Sequence, residues 1–205
     1  MSNRKGEKVD DRQSTNHPTL ILIRGLPGSG KTHLTTALRD AIGRDKVVML
    51  DPDSTDYESK EYLEHVEAQT AEGVDPKLHA YRFLRAKAYE GIAANKIILW
   101  NQPFTNLGIF NKMIERLETH AAEHSVRLPI LVVEVEVDPA LAKQRVLSRK
   151  AEGGHGPSDN TFTRFVGDYA SFASEGFNTV TVRGEDDVAV SVSTVMKGLE
   201  RLGQK

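Results

Sequence analysis

A chain of 205 residues with 39% hydrophobic and 27% charged side chains is long enough for one well-filled core and short for a pair of independent domains. Its net charge of −2 excludes a global basic field of the kind that gathers long nucleic acid, so the balance argues for a small substrate. The lack of cysteine excludes a disulfide framework, a thiolate metal site and a cysteine nucleophile, and apolar runs such as 128–133 are far too short for a membrane helix.

Residues 1–18 are polar and charged without the apolar stretch of a secretory signal, which predicts a flexible arm, a cytoplasmic location and a single domain over 19–205. The run TLILIR at 19–24 is apolar and β-branched and leads at once into glycines and a helical pattern at 32–41. Further strands are predicted at 46–50, 97–100, 130–137 and 179–183, and helices at 57–71, 76–94, 107–123, 139–150, 160–173 and 188–202. Strand and helix alternate, which implies right-handed crossovers and a five-stranded, mainly parallel sheet covered by helices on both faces. Ligands of such folds bind beyond the carboxyl ends of the strands. The excursion between the second and third strands carries two helices, so a helical substrate insertion is expected at about 54–94.

Gly25-Leu26-Pro27-Gly28-Ser29-Gly30-Lys31-Thr32 satisfies the G-x-x-x-x-G-K-[ST] pattern of a phosphate-binding loop. Gly28 and Gly30 let backbone N–H groups approach an anion, and the next helix directs its positive end at the same place. Lys31 is positioned to reach the β and γ phosphates of ATP, and Thr32 to hold Mg²⁺. His33 joins the candidate nucleotide-binding residues. The chain contains no Asn-Lys-x-Asp guanine-reading motif, which favours ATP over GTP.

The second strand ends in Asp51-Pro52-Asp53, on the sheet edge that carries the loop. Acids spaced i, i+2 along a strand point alike, and there they can accept a proton from an attacking hydroxyl or hold a metal. The same residues also suit a turn that caps the following helix.

With these motifs the chain resembles the small P-loop kinases of the nucleoside-monophosphate-kinase type, and most closely the zeta toxin and polynucleotide kinase group. The resemblance implies a three-layer P-loop fold with ATP and Mg²⁺ as cofactors. In zeta toxins a G-x-P-G-S-G-K-T loop is followed about two dozen positions later by a strand ending Asp-x-Asp, whose second acid is the catalytic base. That pattern marks Asp53 as the base, with Asp51 supporting it or the metal. Zeta toxins then carry an acid after the third strand that contacts a sugar-nucleotide substrate. This chain departs from them there, reading Trp100-Asn101-Gln102-Pro103-Phe104-Thr105. Asn101 and Gln102 are its candidate substrate contacts, and Thr105 either joins them or caps the next helix.

The segment Val137-Asp138-Pro139 with Leu141, Arg145 and Arg149 is similar to the one that follows the fourth strand in nucleoside monophosphate and gluconate kinases, where the arginines enter a mobile lid. Arg145 and Arg149 lie one turn apart on one helix face, where guanidinium groups can neutralise a transferring phosphoryl group or stack on adenine. Three glycines and a proline between 153 and 157 break the helix, giving a hinge and a lid at about 145–160 that carries His155 at its surface. Gly154-His155-Gly156-Pro157 is similar to the Gly-His-x-x-Pro of gluconate kinases with one residue fewer.

Arg82 and Arg85, between Tyr81 and Tyr89, are candidates for holding an anionic substrate, although such alternation also suits a packed helix. His120 and His124 have zinc-ligand spacing without an accompanying acid pattern. The sequence therefore predicts transfer of the γ-phosphate of ATP to a hydroxyl of a small or nucleotide-linked substrate by Lys31, Asp53, Arg145 and Arg149. A kinase of polynucleotide 5′ ends and a non-catalytic nucleotide switch are the alternatives. The resemblance also implies an antitoxin-like partner.

Overall fold

The structure is a computed structural model that describes residues 17–203, so all but the last two residues of the expected arm at 1–18 lie outside the described residues. Its strands are β1 (Thr19–Arg24), β2 (Val47–Leu50), β3 (Ile97–Asn101), β4 (Ile130–Glu136) and β5 (Asn178–Arg183), in the sheet order β2-β3-β1-β4-β5 with every pairing parallel. All six residues of β1 are buried, as a central strand covered on both faces requires.

The helices are α1 (Lys31–Ile42), α2 (Lys60–Ala71), α3 (His79–Ala93), α4 (Leu107–Glu123), α5 (Pro139–Ala151), α6 (Asp159–Asp168) and α7 (Val188–Gly203). Strand alternation sorts β1 between two cores. Leu20 and Leu22 pack with Leu84, Ile92, Phe110 and Leu117 of α3 and α4. Ile21 and Ile23 pack with Leu34 and Leu38 of α1 and with Val195 and Leu199 of α7. A third cluster joins Leu26 of the glycine loop to Ala142 and Val146 of α5 and Phe162 of α6, so the loop and the segment after β4 pack directly together.

Three helix ends differ from the sequence pattern. The stretch expected as one helix at 76–94 is a 3₁₀ turn over Pro76–Leu78 and α-helical only from His79. The helix expected from residue 57 begins at Lys60, because Ser59 accepts the N–H of Tyr62 and sets the cap there, while 51–54 forms a separate turn. The helix expected to reach residue 173 stops at Asp168, where Tyr169 turns extended. This turn lays the Tyr169 and Phe172 rings 4.3 and 3.7 Å from the Arg24 guanidinium, a tertiary contact that local propensity does not contain.

Candidate active site

β1 hands the chain to Gly25, and the loop turns so that Ser29 N–H donates to Leu26 O at 3.0 Å. Gly28 and Gly30 have φ of +85° and +97°, where a side chain is strained. Gly28 meets a second restriction, since a Cβ there would stand 2.4 Å from the Ala142 carbonyl oxygen of α5. Its missing side chain therefore serves helix packing as well as access to a ligand. Gly30 caps α1 without a side-chain hydrogen bond, which leaves the first-turn N–H groups as donors for an anion.

Lys31 is 9% exposed, and its Nζ donates to Gly25 O and Leu26 O, both at 2.9 Å. Burial lowers its pKa to about 8, the carboxylates of Asp51 and Asp53 oppose that shift, and Arg149 adds to it. The ammonium is thus hydrogen-bonded over the loop to backbone carbonyls, with the Asp51 and Asp53 carboxylates adding attraction from across the cleft, and phosphate oxygens would relieve its desolvation.

β2 stops at Leu50, so the strand alternation expected to point Asp51 and Asp53 alike does not extend through them. Instead Ser54 N–H donates to Asp51 O at 3.1 Å and Asp53 N–H to Asp51 Oδ1 at 2.9 Å, which closes a turn around Asp51. Asp51 is buried, whereas the Asp53 side chain is 75% exposed and projects into the cleft. From β3, Asn101 Nδ2 donates to Asp51 Oδ2 at 2.7 Å and to Thr32 Oγ1 at 3.2 Å. A chain of contacts therefore runs from Thr32 through Asn101 and Asp51 to the backbone of Asp53. Gln102, half-buried, lines the cleft beside it.

Arg145 reaches from α5 across the loop, donating to Gly184 O at 3.0 Å and Gly28 O at 3.4 Å. Arg149, one turn later, lines the cleft. Beyond the end of α5, His155 Nε2 stands 4.0 Å from Asp53 Oδ2. Loop, Asp51-Pro52-Asp53 turn, β3 end and α5 together enclose about 560 Å³, a volume suited to a small ligand.

Of the sequence candidates, Pro27, Gly28, Gly30, Lys31, Thr32, His33, Asp51, Asp53, Asn101, Gln102, Arg145 and Arg149 line this cleft. Gly25, Leu26 and Ser29 are buried within the loop. Arg82 and Arg85 are not brought to it: Arg82 donates to Gln69 at 2.8 Å and Arg85 lies over the Tyr81 ring. Thr105 does not cap α4, because Asn106 Oδ1 accepts the Ile109 N–H. His120 stacks on Tyr89, and among the described residues no group of three or more histidines or acids could hold a metal.

Sequence reading missed Arg24 and Glu134, a fully buried ion pair that register places side by side on β1 and β4. Arg24 also donates to Ala170 O at 2.7 Å and Phe104 O at 3.2 Å, and Glu134 accepts from Ser171 Oγ and Phe172 N–H, each at 2.7 Å. The pair ties the loops after β3 and α6 to the strand that feeds the glycine loop. Burial beside it pushes the Tyr169 phenol up to about 12. The available signal was a basic residue ending the apolar run of β1 and, in β4, Glu134 flanked by Val133 and Val135 within an apolar run.

Strand order, glycine loop and converging acids and arginines define a P-loop protein with the fold of the small-molecule kinases. The chain belongs to the zeta toxin family, whose sequence model, described as Zeta toxin, matches residues 3–193. No curated relative matches it. Among solved structures it is similar to a gluconokinase from Sinorhizobium meliloti 1021, with 18% identity over 91% of this chain and 94% of that one and a TM-score of 0.56. It is also similar to a chain of the PezAT chromosomal toxin-antitoxin system of Streptococcus pneumoniae, with 16% identity over 93% and 88% and a TM-score of 0.57. A third likeness is to Chaetomium thermophilum Kti12 in complex with ADP-AlF3, with 18% identity over 88% and 97% and a TM-score of 0.57. Among the described residues no helix is long and apolar enough to cross a membrane.

Proposed function

We propose that this protein is an ATP- and Mg²⁺-dependent phosphotransferase that moves the γ-phosphate of ATP to a hydroxyl of a small or nucleotide-linked acceptor. The observation that carries the reading is the convergence of Lys31, Asp53, Arg145 and Arg149 on one cleft at the carboxyl ends of the strands. Membership of the zeta toxin family supports it, and supports an antitoxin-like protein partner as well.

The glycine loop and first turn of α1 hold the phosphates, with Lys31 supplying positive charge to the β and γ groups. Thr32 and Asp51 offer the hard oxygen donors that suit Mg²⁺, which binds few protein ligands and retains water. When bound, the metal neutralises phosphate charge. Asp53 accepts the proton of the acceptor hydroxyl as its oxygen bonds to phosphorus and the bond from phosphorus to the β-phosphate bridging oxygen breaks. Its exposed carboxylate, approached by the exposed His155 at 4.0 Å, suits that role better than the buried, doubly engaged Asp51. Arg145 and Arg149 neutralise the phosphoryl group in transit. The segment at about 145–160 acts as a lid that keeps water from competing with the acceptor, and the insertion at about 54–94 covers the acceptor side.

The test follows γ-labelled ATP with Mg²⁺ against UDP-sugars, nucleosides, free sugars, oligonucleotide 5′ ends and water. Label appearing on one acceptor, and lost in Asp53→Asn, is the expected outcome. Nucleotide binding with no transfer to any acceptor would replace the kinase reading with that of a nucleotide switch.

A further inference from the structure

Tyr57 lies between the Asp51-Pro52-Asp53 turn and α2, and its hydroxyl donates to Pro52 O at 3.0 Å. That carbonyl belongs to the peptide unit that also carries the Asp53 N–H, which donates to Asp51 Oδ1 at 2.9 Å. A peptide is planar, so gripping its oxygen and its hydrogen sets the plane and with it the place of Asp53 Cα. The preceding unit is held too, since Asp51 O accepts from Ser54 N–H at 3.1 Å and from Thr55 Oγ1 at 2.8 Å. The Asp53 side chain itself is exposed at the cleft, so its carboxylate is aimed by the backbone beneath it and not by packing. Tyr57 is 36% exposed, and a free ring there would turn its hydroxyl to water. The ring is anchored instead: it meets Tyr62 of α2 edge-on at 4.9 Å, and Tyr62 meets the buried Phe83 of α3 edge-on at 5.2 Å. A line of rings therefore runs from α3 to the carbonyl beside Asp53.

We propose that Tyr57 is a positioning residue for Asp53: its hydroxyl holds the Pro52–Asp53 peptide so that the carboxylate faces the acceptor hydroxyl. Hydrogen bonds at the two ends of one peptide reinforce each other, because a donor at the carbonyl polarises the unit and strengthens the N–H bond to Asp51. The two acids are thereby kept in fixed relation, one beside the glycine loop and the other open to the acceptor. The ring contacts also give the helical insertion a hold on the base, since a displacement of α2 reaches Pro52 O through Tyr62 and Tyr57. The inference rests on the phosphotransferase reading and extends it to a residue that does not itself line the cleft.

The experiment uses the full chain and Tyr57→Phe, which keeps the ring and removes only the hydroxyl. NMR reads the shift and exchange rate of the Asp53 amide proton. Turnover is read from γ-labelled ATP with Mg²⁺, with water as the acceptor that is always present and the same acceptor panel alongside. In Tyr57→Phe the Asp53 amide proton is expected to move upfield and to exchange about three- to tenfold faster, as loss of one net hydrogen bond does. kcat should fall by about the same factor, with the KM for ATP and the ADP affinity within about twofold of the wild type. Added to Asp53→Asn, Tyr57→Phe should cost nothing further, because a residue that acts through the base has no effect once the base is gone. An unmoved Asp53 amide, an unchanged kcat, or an equal loss in the Asp53→Asn background overturns the proposal. A wild type that releases label neither to water nor to any acceptor overturns the phosphotransferase reading instead. The Asp53 amide still reports then whether the peptide is held, which separates the two failures.

Discussion

Asp51 and Asp53 stand two residues apart and are joined by a hydrogen bond from Asp53 N–H to Asp51 Oδ1 at 2.9 Å, yet one carboxylate is buried and the other side chain is 75% exposed. The turn that separates them divides their chemistry. Asp51 has both oxygens engaged, by Asp53 N–H and Asn101 Nδ2, and is held where Thr32 is held. Asp53 has a carboxylate open to an incoming hydroxyl. Asp53→Asn is expected to lower kcat about 10² to 10⁴-fold with ADP affinity unchanged, the usual loss on removing a general base. Asp51→Asn should instead reduce the Mg²⁺ dependence of ADP binding. The reverse pattern would exchange the two roles.

Lys31 gives the site a pH dependence whose sign can be worked out. Its folded pKa is about 8, mainly through burial, against an ordinary 10.5. Between these values the unfolded chain carries a proton that the folded chain lacks, so this group alone makes stability rise with pH across that window. Below about 8 both forms are protonated and its contribution is constant. Phosphate beside the amine favours the ammonium and raises the pKa again. ADP binding at pH 8.5 is therefore expected to take up a fraction of a proton, seen as calorimetric enthalpies that change with buffer ionisation enthalpy, and ADP affinity should fall as pH rises above about 8. Lys31→Met should abolish the uptake; an uptake that survives in that variant would place the proton elsewhere.

What the sequence made legible was what is set locally. The glycine loop is one contiguous turn, and β1 matches its expected 19–24 because a central parallel strand reads as an unbroken apolar run. What it hid depends on parts of the chain that are distant in sequence. Arg24 and Glu134 meet only through strand register, 110 residues apart. Tyr169 ends α6 because a guanidinium lies beneath it. Arg82 and Arg85 are engaged by Gln69 and Tyr81, which helix periodicity could not disclose. The orientation of Asn101 likewise needed Asp51 on a neighbouring strand.

The Arg24–Glu134 pair has a distinct energetic signature. Both side chains are buried, so removing one leaves the other without its compensating charge, at a cost of about 3–5 kcal/mol. Glu134→Gln is expected to lower Tm by on the order of 10 °C in a chain of this size. Replacing both together, as Arg24→Met with Glu134→Leu, should restore most of that loss, since well-packed apolar residues often match a buried ion pair. Thermal unfolding of the single and double variants is the measurement, and additive losses would show that the loop carbonyls and rings around Arg24 matter more than its partner acid.

Gly28 and Gly30 offer a comparison that separates backbone strain from packing. Both have positive φ, so alanine at either position costs roughly 1–2 kcal/mol of left-handed strain. Only at Gly28 would the new Cβ also meet protein, 2.4 Å from the Ala142 carbonyl oxygen; at Gly30 it would meet nothing within 4 Å. A backbone carbonyl inside α5 cannot swing aside as a side-chain tip can, so the loop and α5 must part. Arg145, which spans them to Gly28 O and Gly184 O, would lose its anchorage as they separate. Gly28→Ala is therefore expected to lower Tm more than Gly30→Ala, and to weaken ADP binding through both the loop and the displaced arginine. Equal Tm shifts would mean that backbone strain alone decides stability at the loop and that α5 yields freely. In that case the contact between loop and helix could not serve to transmit nucleotide binding to the arginines.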